Sequence, residues 1–258
     1  MDDGVNDEAP AFNRIPVRYL LPNLVTLLAL CSGVTAIRLA LEHRYELAVS
    51  AVIMAVVLDA VDGRLARMLK GSSRFGAELD SLADFVNFGV APGVLVYSWT
   101  LTELRNLGWV AALTLALGCA LRLARFNVTA DQPGKPAFTK NFFTGVPAPA
   151  GAGLAMAPMY LGFLGVLEPG RATGFFVAPY VFCVALLMVS QIPTWSGKGV
   201  GGQVSRDRAL LILGLTALGI VMLAAFTWEM LAALAIIYLA LIPFGVRSYR
   251  RQERQFRG

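Results

Sequence analysis

The sequence predicts an all-α, polytopic membrane bundle of about eight transmembrane helices, and three observations lead there. Of 258 residues, 57% are hydrophobic and only 15% charged, with a mean hydropathy of +0.63, which is too apolar for an ordinary soluble domain. The apolar residues gather into stretches near the ~20 residues that cross a bilayer. Hydrocarbon offers no partner to an open N–H or C=O, so such stretches fold as helices.

Residues 1–18 form a cytoplasmic lead. Met1 to Pro10 is acidic and polar, lacks the basic start and apolar core of a secretory signal, and is expected to be disordered. Phe12, Arg14, Ile15, Val17 and Arg18 suit a short interfacial helix. The transmembrane domain covers 19–246, with spans at 19–41, 46–69, 77–100, 107–126, 148–167, 174–193, 209–226 and 228–246. The last two are short and meet around Thr227-Trp228-Glu229, the weakest boundary. Residues 247–258 are a basic tail, with five Arg from Arg247 to Arg257 suited to anionic headgroups.

Charge orients the bundle. Of the 22 Lys and Arg, all but Arg38, Arg44, Arg105 and Arg171 fall on the side of the two termini and the even-numbered connections. The positive-inside rule makes that side cytoplasmic. The net charge of +5 and pI near 9.3 come largely from these edges, so nucleic acid is not an expected partner.

The second and third spans carry an anomaly. Asp59, Asp62, Asp80 and Asp84 lie in otherwise apolar surroundings. One charged side chain at the centre of a membrane helix costs roughly 2.5–3.5 kcal/mol, so four facing lipid would cost about 10 kcal/mol or more. They must line a wet cavity and hold something positive. Asp59, Asp62 and Ala66 share one helical face, with Gly63 and Arg67 on its flank. Gly76, Asp80 and Asp84 form a stripe on the next helix, and a hairpin through Lys70-Gly71-Ser72-Ser73-Arg74 brings the stripes together. Carboxylates so close repel each other unless a divalent cation sits among them. An all-oxygen set suits Mg²⁺ or Mn²⁺ and argues against zinc. Gly63 and Ala66 leave room for a bulky group, and Arg67 offers a fork suited to phosphate.

The run D-x2-D-G-x2-A-R-x8-G-x3-D-x3-D, with eight specified positions across 26 residues, resembles the CDP-alcohol phosphotransferase family. The resemblance implies that fold, a CDP-linked lipid bound with divalent metal, and an alcohol that displaces CMP. It implies that Asp59, Asp62 and Asp80 hold metal on the diphosphate, and that Asp84 shares that ligation and takes the hydroxyl proton as catalytic base. Gly63, Ala66, Arg67, Ser73 and Gly76, with Asn23 and Thr26 of the opening Pro22-Asn23-x2-Thr26, are the implied CDP-lipid contacts. The chemistry agrees from below: metal stabilises the departing CMP, and a carboxylate near the alcohol acts as general base.

Two further segments bear on the acceptor. Arg122 and Arg125 share a face at the end of the fourth span beside Asn127, just ahead of a long connection at 127–147. The second segment runs from Met188 through Pro193-Thr194 to Lys198. R-x2-R-F-N, F-x-G-x-P-x-P at Phe143–Pro149, and M-V-S-x-I-P-T-x-S-x-K resemble the branch of the family that makes phosphatidylserine. By that resemblance the substrates are CDP-diacylglycerol and L-serine, and Arg122, Arg125, Asn127 and Lys198 contact the acceptor or its phosphates. An arginine pair is suited to clamp serine's carboxylate. The resemblance also implies a homodimer.

Other readings stay open. The acceptor can be choline, glycerol 3-phosphate or inositol phosphate, or the acids can serve an ion-coupled transporter. A transporter favours charges spread over many spans and inverted repeats, and neither is present by eye. Cys31, Cys119 and Cys183 lie within spans without metal-ligand spacing, and His43 falls on the face opposite the acids.

Overall fold

The computed structural model describes residues 17–69, 73–130, 142–195 and 206–257. The elements run α1 (Val17–Leu41), α2 (Tyr45–Met68), α3 (Arg74–Phe85), α4 (Ala91–Trp99), α5 (Asn106–Ala130), β1 (Phe142–Thr144), α6 (Ala148–Ala155), α7 (Ala157–Phe163), α8 (Arg171–Val189), β2 (Pro193–Trp195), α9 (Arg206–Ala225) and α10 (Thr227–Arg257). Helices occupy all eight expected places. Among the described residues, five are long and apolar enough to cross a bilayer: Leu20–Leu41, Arg74–Trp99, Asn106–Thr129, Arg171–Val189 and Thr227–Tyr249. α2 is long enough but carries Asp59, Asp62, Arg64 and Arg67. The apolar part of α9 is the shorter stretch Leu211–Ala225. The chain is an integral membrane protein, and its long exposed apolar faces, such as Leu20, Leu24 and Leu28 on α1, suit lipid.

Prolines explain where the helices depart from regularity. The span expected at 77–100 is one rod from Arg74 to Trp99, with a π-helical turn at Val86–Val90 between α3 and α4. Pro92 has no N–H for the carbonyl of Phe88, and the wider turn takes up that defect. The span expected at 148–167 is broken at Met156, with Pro158 near the start of α7. Pro158 leaves the carbonyl of Leu154 without its helical donor, and the Tyr180 hydroxyl of α8 donates to it instead, at 2.8 Å.

α1 and α2 pack antiparallel along their length. At their turn His43 adopts φ 58°, and Arg38 Nε donates to Glu42 at 2.7 Å, holding that carboxyl below its ordinary range. The core between α4, α5, α6, α7 and α8 is built from Leu95, Leu115, Cys119, Met159, Tyr160 and Met188. Small residues let these helices approach closely: a Cβ on Gly93 would stand 3.0 Å from the Ala112 carbonyl, and one on Gly118 would stand 3.0 Å from that of Ala185. β1 and β2 pair antiparallel, Phe143 opposite Thr194, as a short ladder above the end of α8. α9 packs chiefly on α10, and its residues from Leu211 to Ala225 are otherwise mostly exposed.

Candidate active site

α2 and α3 make few close backbone approaches to each other, while α1 lies against both. The space between them is bridged by side chains. One carboxylate oxygen from each of Asp59, Asp62 and Asp80 lies within 4.8 Å of the others. Asp84, one helical turn beyond Asp80, meets the carboxyl of Asp59. The expected convergence of four acids therefore takes the form of a trio with a fourth member reached through Asp59. An oxygen trio of this spacing, with Asp62 only 4% exposed, fits a hard divalent cation.

α1 orients the trio. Thr26 Oγ1 donates to Asp62 Oδ2 at 2.7 Å and also lies 3.1 Å from the Pro22 carbonyl. The hydroxyl has one proton, and the shorter contact to the acid takes it. Thr26 lines the cleft, as expected, but its hydroxyl is committed to an Asp rather than free for a ligand.

An open cleft of about 230 Å³ adjoins the trio and is lined by Pro22, Asn23, Thr26, Asp62, Gly63, Ala66, Arg67, Ser73, Gly76, Ala77 and Asp80. It gathers every residue named from sequence as a CDP-lipid contact. Ser73 N-caps α3, its Oγ accepting from the Gly76 N–H at 3.0 Å, which fixes the start of the helix that carries Asp80. A Cβ on Gly76 would meet Asn23 Oδ1 at 2.8 Å, so the bare glycine leaves the Asn23 side chain its place between α1 and α3. Arg67 is exposed at the rim, leaving its guanidinium free to swing over a phosphate.

The residues named for the acceptor separate. Arg125 Nη1 donates to the Val189 carbonyl at 2.5 Å and lies 3.4 Å from that of Ser190, so it caps the end of α8. The i, i+3 spacing with Arg122 does not make a paired fork, because α8 captures one of the two. Asn127 Nδ2 donates to Ser81 Oγ at 2.9 Å and ties α5 to α3. Arg122 is half-buried and faces Asp84, and its Nε is buried without a hydrogen-bond partner among the described residues. Lys198 lies outside the described residues.

One neighbour escaped the sequence reading. Tyr238 of α10 turns its hydroxyl toward Thr194 and Arg122, where it is buried without an aligned hydrogen bond among the described residues. Its signal was a lone phenol within the apolar run Leu231 to Ile242. Asn87, in the π turn, is also buried with both amide atoms unpaired among the described residues, packed against Gly33.

Residues 19–196 match the family described as CDP-alcohol phosphatidyltransferase. The chain is 39% identical over 235 residues to the CDP-diacylglycerol–serine O-phosphatidyltransferase of Mycobacterium tuberculosis, covering 90% of this chain and 79% of that one. A Helicobacter pylori protein of the same name is 32% identical over 174 residues, covering 67% and 71% of the two chains. The archaetidylserine synthase of Methanothermobacter thermautotrophicus is 32% identical over 186 residues, 71% of this chain and 72% of its own. With the acidic trio, its cleft and a family match over most of its length, the chain belongs to the CDP-alcohol phosphatidyltransferase family.

Proposed function

We propose that this enzyme transfers the phosphatidyl group of CDP-diacylglycerol to the hydroxyl of L-serine, giving phosphatidylserine and CMP. The observation that carries the reading is the meeting of Asp59, Asp62 and Asp80 beside a cleft whose walls are α1, α2 and α3. The names of relatives aligned over up to 93% of the chain favour serine as the acceptor.

Asp59, Asp62, Asp80 and Asp84 are the residues that would hold Mg²⁺ or Mn²⁺, and the bound ion supplies charge neutralisation of the diphosphate and of the departing CMP. The protein's own part is positional. Thr26 holds Asp62, Ser73 and Gly76 seat the start of α3, and Arg67 reaches the phosphates from the rim. Asp84 stands on the Arg122 side of the cluster and takes the proton of the attacking hydroxyl. The serine oxygen bonds to the lipid-side phosphorus as the bond from that phosphorus to the CMP oxygen breaks, and CMP departs with the electron pair. The reading places both termini and the cleft in the cytoplasm, on the inner membrane, because Lys and Arg concentrate on that side. It takes the working form to be a homodimer.

The test is CMP release from CDP-diacylglycerol by purified protein with Mg²⁺ or Mn²⁺, offered serine, choline, glycerol 3-phosphate and inositol phosphate in turn. Release with serine alone is expected. Release with another alcohol would reassign the acceptor, and ion flux in liposomes without any CMP release would reassign the class.

A further inference from the structure

Two buried polar atoms, one on a side chain facing Asp84 and the other on a side chain facing the first, make no aligned hydrogen bond among the described residues, and they come from helices far apart in sequence. Arg122 Nε belongs to α5 and the Tyr238 hydroxyl to α10. An unpaired buried donor carries a desolvation penalty that a protein keeps only where something else supplies the acceptor. Their surroundings are built rather than accidental. Thr194 is 3% exposed and donates to the Gly145 carbonyl at 2.7 Å. Gly145, at φ 76°, lies so close to α8 that a Cβ would stand 2.7 Å from the carbonyls of Met188 and Ser190. The Gly145 N–H donates to Ile192 and that of Val146 to Leu187. With Arg125 capping the same helix end, the β1–β2 ladder becomes a fixed platform, and it sets Thr194 against Tyr238.

We infer that Arg122 and Tyr238 together receive the carboxylate of the acceptor amino acid and hold its hydroxyl toward Asp84. This rests on the serine reading above and deepens it. A guanidinium and a phenol can each donate to one of the two oxygens of a monoanion. With Arg125 spent on α8, the described residues bring one free guanidinium, that of Arg122, to this wall, and it matches the single charge of a carboxylate better than the double charge of a phosphate monoester. A quaternary ammonium would be repelled by Arg122. Arg122 and Tyr238 are thus the residues that set acceptor specificity, and Arg125 builds the platform behind them.

The test compares wild type with Tyr238→Phe and Arg122→Gln, using serine and serinol, the analogue in which a hydroxymethyl group replaces the carboxylate. Removing a donor to a charged group is expected to raise the serine KM about tenfold or more relative to the KM for CDP-diacylglycerol. The preference for serine over serinol should shrink in parallel. Tyr238→Phe deletes one oxygen and keeps the experiment readable if Arg122→Gln does not fold. A purely structural Tyr238 gives the opposite pattern: deleting an unpaired hydroxyl leaves both KM values where they were. That result in a wild-type-like, serine-using enzyme would overturn the inference and leave the function standing. A wild-type protein that releases CMP with glycerol 3-phosphate but not serine would remove both.

Discussion

The hydrogen bond from Thr26 to Asp62 gives the sharpest handle on the cluster. Thr26→Val keeps the branched shape of a residue only 5% exposed, so the seam between α1 and α2 stays filled. It deletes the one hydroxyl that donates to Asp62, at 2.7 Å. A hydrogen bond to a charged group is worth about 1.5–3 kcal/mol. Partners that orient a metal-binding carboxylate typically account for about 10–100-fold in metal affinity or activity. The expected result is a rise of about 10–100-fold in the Mg²⁺ or Mn²⁺ concentration giving half-maximal CMP release. Thr26→Ser, which restores the donor, should return most of the loss. The assay is a metal titration at saturating CDP-diacylglycerol and serine. Superimposable titration curves for wild type and Thr26→Val would refute the reasoning, because Asp62 would then need no help from α1.

Three other substitutions separate chemistry from scaffold. Asp84→Asn should abolish turnover while CDP-diacylglycerol binding, followed by equilibrium binding of labelled lipid, largely survives; equal loss of both would remove its assignment as base. Arg125→Ala should lower stability by about 1.5–3 kcal/mol in detergent unfolding, since two carbonyls at the end of α8 lose a charged donor. The ratio of serine KM to CDP-diacylglycerol KM should hold in that variant, and a selective rise in serine KM would return Arg125 to the acceptor site. Gly33→Ala drives a Cβ into the Asn87 amide and should cost about 1–3 kcal/mol by overpacking, with an unchanged melting temperature as the contrary outcome.

Apolar run length was enough to place a helix at each of the eight expected positions. It was a poorer guide to how those helices are interrupted. The π turn at Val86–Val90 and the break at Met156 arise from Pro92 and Pro158, whose cost depends on what neighbouring helices offer in compensation. The Tyr180 hydroxyl that satisfies Leu154 lies 26 residues away and has no local signature. The acidic trio was legible because carboxylates in a membrane helix are expensive, and i, i+3 or i, i+4 spacing fixes their face. The arginines were harder. Spacing put Arg122 and Arg125 on one side of α5 but carried no information about α8, whose terminal carbonyls take Arg125. Tyr238 stayed hidden because α10 comes to the site through tertiary packing, against α7 and β2, which leaves no local signature.

Everything in the enzymatic account depends on α2 and α3 sharing a divalent ion. Mn²⁺ binding to the purified protein, followed by loss of the free-ion paramagnetic resonance signal, measures this without turnover. Wild-type protein should deplete the signal, and Asp80→Asn, which removes the α3 member of the trio, should leave most of it in solution. Equal depletion by the two proteins would place the ion elsewhere and contradict the account.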